Sequence, residues 1–262
     1  MSITLVYPNG PIDLFGAVPR DLSGNVADAP ILSVATNEAT QRYTVGARAM
    51  DWDGSVYRYA KAGATLTNLS LAVHQTDTAA IVSYEALTAG SSAGSTTVHI
   101  NQASITKNQA AGGYLVIFHA TGNAKTYKVV GNTASDSSSN VDVYIAQPLH
   151  VATTTSDTYE LYYSPWRGVS QANTSGTLTF LGMPQALLTS TYYGWIQTWG
   201  MTFISPQSTV GNAYIRSAYF RHDGSIDARG NVGTYVTDQR AGIVMCGSAS
   251  GDGPLLMLQV AI

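Results

Sequence analysis

Charge is what this chain has least of. Asp, Glu, Lys and Arg make up 11% of its 262 residues, against roughly 25% in an ordinary globular protein. The 13 basic and 16 acidic side chains leave a net charge of -3, which provides no basic footprint for DNA or RNA, so no nucleic-acid partner is expected. Only three Glu occur, Glu38, Glu85 and Glu160, and no carboxylate pair stands in the aromatic setting that glycoside hydrolysis uses. Cysteine is reduced to Cys246, which excludes an intramolecular disulfide and a cysteine zinc site. No apolar run approaches the roughly 20 residues of a membrane-spanning helix. The opening MSITLVYPNG lacks a basic stretch leading into an apolar one. The expectation is a soluble chain, made in a reducing cytoplasm, with no membrane partner.

Low charge does not mean disorder here. The hydrophobic fraction is 45%, with 25 Gly and 16 Tyr, whereas disorder goes with low hydrophobicity and high net charge. Ser, Thr, Asn and Gln stand where charges usually do. Such a surface suits a protein packed against neighbours in an assembly, and tyrosine is enriched at protein–protein interfaces.

Motifs for chemistry are as sparse as charge. Gly90-Ser91-Ser92-Ala93-Gly94 has the spacing of a nucleophile elbow, with Ser92 in the nucleophile position. That motif needs a strand before it and a helix after it, and the residues after Gly94 read as strand. Asp51-Trp52-Asp53-Gly54 opens like a calcium loop, but Gly54 falls at position four and Ala62 at position twelve, where an EF-hand needs Gly at six and Glu at twelve. The five histidines, at 74, 99, 119, 150 and 222, show no pair at metal-ligand spacing. His99 and His119 can face each other only if their strands pair. No phosphate loop or dinucleotide fingerprint is present. The expectation is a non-enzyme with no catalytic residues, no metal and no cofactor.

The pattern is β for most of the length. Residues 97–100, 126–130, 141–145 and 158–163 alternate, with Val141, Val143 and Ile145 on one face, and residues 113–119 are a continuous apolar run of strand length. Turn signals stand between them, Asp53-Gly54, Thr121-Gly122-Asn123 and Asp223-Gly224 among them. Further strands are expected over 177–181, 212–220, 242–246 and 255–262, and a turn over 182–185. Short helices are expected over 38–49 and 61–75, the second from the spacing of Leu66, Leu69 and Val73. The fold class is therefore all-β, built of sandwich- or barrel-like units with at most short helices.

Two stretches stand apart. Residues 1–37 hold Pro8, Pro11, Pro19 and Pro30, a density that precludes a helix and weakens any central strand. The apolar Leu14, Phe15, Val18, Ile31 and Leu32 lie among them and mark an extended arm that lies on another surface or subunit. Residues 192–203, YYGWIQTWGMTF, hold two of the four Trp. At period two Tyr193, Trp195, Gln197, Trp199, Met201 and Phe203 share one face. The stretch reads as a core strand whose Gly194 and Gly200 allow close backbone approach or a bulge. Tyr193, Trp195 and Trp199 are its fold-core aromatics. The organisation expected is an arm over 1–37, a first β unit over 38–168 and a C-terminal β unit over 169–262.

Three segments resemble tailed-bacteriophage virion proteins, marine ones in particular. Gly46-Ala47-Arg48 with Asp53-Gly54-Ser55-Val56-Tyr57-Arg58-Tyr59-Ala60-Lys61-Ala62-Gly63 is similar to their "G-x-R … DG-x-x-[FY]-RY-x-x-AG" segment. Gly113-Tyr114-Leu115, then Thr126-Tyr127-Lys128-Val129-Val130-Gly131-Asn132 and Pro148-Leu149, resembles "GYL … YKI-x-x-N … L-x-x-PL". Tyr193-Gly194-Trp195-Ile196-Gln197-Thr198-Trp199-Gly200 matches "YG-W-x-Q-T-x-G". The chain departs from the pattern at residues 121–125, TGNAK, where relatives often carry an acidic, Gly-rich loop. The resemblance implies a head-associated capsid decoration (cement) protein on the phage head surface of the virion. Its partner would be the major capsid protein lattice, and the chain would form a homo-oligomer, with a trimer fitting lattice three-fold positions. It brings no active site. The arm residues Leu14, Phe15, Val18, Ile31 and Leu32 become the expected lattice or subunit contacts. A receptor- or glycan-binding module of a tail or head fibre is the alternative, with Trp52 or Trp166 as exposed stacking residues.

Overall fold

The computed structural model describes residues 34–51, 53–76, 80–171, 179–211, 216–228, 236–247 and 253–260. These residues form sixteen strands and no helix. The strands are β1 (Arg48–Met50), β2 (Val56–Ala62), β3 (Val73–Gln75), β4 (Ala80–Ala86), β5 (Thr97–Asn101), β6 (Tyr114–Phe118), β7 (Ala124–Asn132), β8 (Asn140–Ile145), β9 (Thr158–Tyr162), β10 (Arg167–Gln171), β11 (Phe180–Pro184), β12 (Tyr193–Thr202), β13 (Ser217–Arg221), β14 (Ile226–Ala228), β15 (Val236–Cys246) and β16 (Leu255–Gln259). The all-β reading therefore holds for the described chain.

The chain divides into two compact units, but not at one point. Residues Asp77–Pro165 form one unit, and the residues before and after them form the other. A boundary near 168 was expected, and one falls close to it. The second, near 76, was not, because β3 gives no local sign that its neighbours β10 and β11 lie about a hundred residues further on.

Unit two, residues 77–165, is a single six-stranded sheet in the order β4-β9-β6-β7-β8-β5, antiparallel throughout. Its alternating strands put Val98, Leu115, Val129, Val143, Tyr159 and Leu161 into one core. Burying each such side chain stabilises the fold by about 1.5–3 kcal/mol. Val141, Val143 and Ile145 all point inward, as the alternation requires. The buried Tyr159 donates its hydroxyl to the Asn101 carbonyl at 2.7 Å. Burial pushes its phenol up to about 12, with the Asn101 hydrogen bond lowering it and the Glu85 charge adding to the rise.

Unit one contains a closed ring of five strands. β2 pairs with β10, β10 with β3, β3 with β11, β11 with β12, and β12 returns to β2. Closure leaves none of these strands with a bare edge along the paired stretch. The inside is filled by Ala60, Ala62, Val73, Val169, Leu181 and Ile196. β12 then runs on past the ring and pairs with β16, from which β15, β13 and β14 follow. This extension covers a second core that holds Phe180, Phe220, Val244, Leu256 and Leu258. Phe180 and Phe220 stack there, 4.8 Å apart.

Neither expected helix forms. Glu38 is paired with Tyr193 through both backbone hydrogen bonds, at 2.9 Å each, and Gly46 and Ala47 hydrogen-bond to Tyr59. Extended pairing thus takes the backbone groups a helix would use. Over 61–75 the chain finishes β2, crosses a loop and forms β3. Leu66 is buried while Leu69 is exposed, so the helical spacing of Leu66, Leu69 and Val73 marks no shared face. The expected turn over 182–185 is also corrected: Gly182, Met183 and Pro184 are the buried end of β11.

Candidate functional site

The site begins with β12, which runs through the ring and beyond it with a bulge at Thr198 between its two halves. Over the first half, the outward face is roofed by residues 34–47. Trp195 packs there with Tyr43, Tyr57 and Tyr59. Ring centroids of Trp195 lie 5.4 Å from Tyr43 and 5.2 Å from Tyr59, while Tyr59 stacks on Tyr193 at 5.8 Å. The Tyr59 hydroxyl donates to Glu38 at 2.8 Å and accepts the Arg42 amide at 3.1 Å. Burial raises the Tyr59 phenol well above its ordinary range, opposed by the Arg42 amide and reinforced by the Glu38 carboxylate. Two glycines permit close approaches along β12. A Cβ on Gly194 would lie 2.8 Å from the Thr36 carbonyl oxygen, and one on Gly200, at φ +110°, would lie 2.9 Å from Ser55 Cα.

Over the second half no such roof is formed by the described residues. A bulge at Thr198 shifts the register against β2, and beyond it Trp199, Met201 and Phe203 are 39%, 42% and 42% exposed. Trp199 is therefore not the core aromatic expected of it, while Trp195 is buried and Tyr193 partly so. The register lays Met201 beside Met257, and Met257 beside Ile243. Met245 and Leu255 are exposed nearby on the same strands. The result is a continuous apolar strip across β12, β16 and β15, with no charged side chain among those residues. Contiguous exposed apolar surface on a soluble domain marks an interaction site. At the Trp199 end the strip meets a groove of about 390 Å³ lined by Arg48, Met50, Val56 and Arg58.

Unit two holds a second feature. His119, just after β6, pairs through Nδ1 with Asp157 at 3.3 Å, and both side chains are at least nine-tenths buried. Asp157 also accepts the Ala120 and Thr154 amides, each at 2.8 Å. Burial by itself would raise the Asp157 carboxyl, but these two amides and His119 outweigh it and hold the group below the usual carboxylate range. The His119 ring lines a groove of about 400 Å³ with Thr121, Asn123, Lys125, Tyr127 and His150.

The remaining candidates scatter. Leu14, Phe15, Val18, Ile31 and Leu32 lie outside the described residues, as does Trp52. Trp166, a proposed stacking residue, is 3% exposed and belongs to the ring core. Ser92 sits in a turn, its carbonyl accepting the Ser95 amide ahead of β5, so the nucleophile-elbow geometry does not arise. His99 and His119 do not face each other. His99 lies on β5 opposite Asp142 of β8, at 2.7 Å, while His119 follows β6, three places away in the sheet. Among the described residues no group of three or more His, Cys, Asp or Glu is placed to hold a metal ion. The strip on β15 and β16 and the His119–Asp157 pair carried no sequence signal. The strip needs three strands brought into register, and the pair is separated by 38 residues. Comparison with protein-family models, curated proteins and solved structures finds no match.

Proposed function

We propose that the protein is a non-enzymatic virion structural protein, a capsid decoration protein that binds and stabilises the assembled head through protein–protein contacts. The observation that carries this reading is the bare apolar strip of Trp199, Met201, Phe203, Met257 and Leu255 on unit one. Its chemistry fits a protein surface that is itself apolar, and it is rigid because it is made of paired strands. The chain's low charge makes such docking weakly dependent on salt. The resemblance of the three motif segments to phage virion proteins supplies the class of partner, the major capsid protein lattice. A symmetric homo-oligomer is part of the proposal, with the residues of the Pro-rich arm as additional contacts.

The test is cosedimentation of purified protein with assembled phage heads from which it has been depleted, beside the same protein mixed with free capsid subunits. Saturable binding to heads, retained between low and high salt, is the expected result. Binding to neither, together with absence of its peptides from virions, overturns the proposal.

A further inference from the structure

The groove beside His119 has a buried, paired histidine in its lining. The chain is acidic overall, yet among the groove-lining residues of unit two the ionisable ones are His119, Lys125, Tyr127 and His150, with no carboxylate. Asp157 is the nearest acid. Both its oxygens are already engaged, one by the Ala120 amide and the other by the Thr154 amide and His119. The His119 ring is thereby fixed from behind through Nδ1. Its Nε2 takes no hydrogen bond among the described residues, although the side chain is nine-tenths buried. Nε2 is thus the ring nitrogen left for a ligand in the groove that His119 lines.

We propose that this groove is a binding site for a small tetrahedral oxyanion of the phosphate or sulfate class. With Nδ1 held by a buried carboxylate, Nε2 is the ring nitrogen left for a ligand; in the protonated ring it donates, and a charge-assisted bond from it to an oxyanion is roughly twice as strong as a neutral one. Lys125 supplies a mobile point charge at the rim, His150 a second ring, and Thr121 and Asn123 neutral donors. Fixing the central donor in advance spares the anion the cost of ordering it. The site lies wholly in unit two and owes nothing to the apolar strip of unit one, so its failure leaves the docking proposal standing.

The experiment is an NMR titration of the full chain, following the histidine ring nitrogens while sodium phosphate or sodium sulfate replaces sodium chloride at constant ionic strength. Saturable shifts at His119 and His150 with millimolar dissociation constants are expected. Lys125→Ala, at an exposed position, should weaken binding by at least about fivefold with unchanged melting, a loss of about 1 kcal/mol. A phosphate monoester that binds tighter than inorganic phosphate assigns the anion to a larger phosphorylated molecule; equal binding assigns it to the free ion, and both support the site. The proposal is overturned by shifts that do not saturate, by equal response to chloride, or by a Lys125→Ala protein that binds as well as the parent. A response to zinc without one to phosphate also overturns it.

Discussion

Within β12, Trp195 is 1% exposed and Trp199 is 39% exposed, although the two share a residue type and a strand. The bulge at Thr198 lies between them and turns them to opposite faces, Trp195 pairing with Tyr59 and Trp199 with Val56. The cover differs too: residues 34–47 lie over Trp195 with Tyr43 and the Glu38 pairing, and among the described residues Trp199 has no comparable cover. An aromatic on a strand is therefore buried or exposed according to a bulge beside it and to chain far from it in sequence. If so, the two halves should respond to substitution in opposite ways.

The largest effect belongs to the roofed half. Trp195→Ala should cost about 3–5 kcal/mol in chemical denaturation, the range for deleting a large buried aromatic, and should leave the protein poorly folded at physiological temperature. A folded Trp195→Ala protein of near-parental stability would erase the distinction between the halves. At the junction, Gly200→Ala should cost about 1–3 kcal/mol from backbone strain at a positive φ. More than that is expected if Ser55 cannot yield, since it sits where the new methyl group would go.

A smaller, pH-dependent effect comes from the covered side of unit one. His74 is 3% exposed and packs edge-on against Phe180. Burial holds its pKa below the ordinary 6.5, with the Gln75 carbonyl opposing. The unfolded chain then binds a proton near pH 6 that folded His74 refuses. The contribution of His74 to stability is present above about pH 6.5 and is lost as pH falls through and below that value. Denaturation midpoints measured between pH 7.5 and 5 should decline, and the His74→Gln protein should decline less. The smallest effect falls on the bare half: Trp199→Ala should shift stability by no more than about 0.5 kcal/mol, a change that a urea titration can barely detect. A loss comparable to that of Trp195→Ala would mean that Trp199 is part of the core after all.

How much of this was legible in the sequence depends on where each strand finds its partners. In unit two β6, β7 and β8 follow one another in the chain and in the sheet. Alternation and turn residues sufficed to place Val141, Val143 and Ile145 in its core. In unit one β2 pairs with β10 and β12, more than a hundred residues away, and no local pattern announces those partners. That is why residues 38–49 and 61–75 read as helices and the boundary near residue 76 went unseen. Gly194 and Gly200 were readable as points of close approach because only a missing Cβ allows them. The single face expected from Tyr193 to Phe203 is broken by the bulge at Thr198, which no local pattern announces, and the His119–Asp157 pair depends on two loops whose meeting no motif encodes.

The central claim is that the bare half of β12 is a docking surface and contributes little to the core. The most direct measurement is the affinity of the Trp199→Ala/Met201→Ser protein for depleted phage heads, with its melting temperature recorded beside it. The account predicts a melting temperature within a few degrees of the parent and binding weakened at least about a hundredfold, the roughly 2–3 kcal/mol that loss of an interface hot spot costs. Parental affinity in a folded double variant would contradict it.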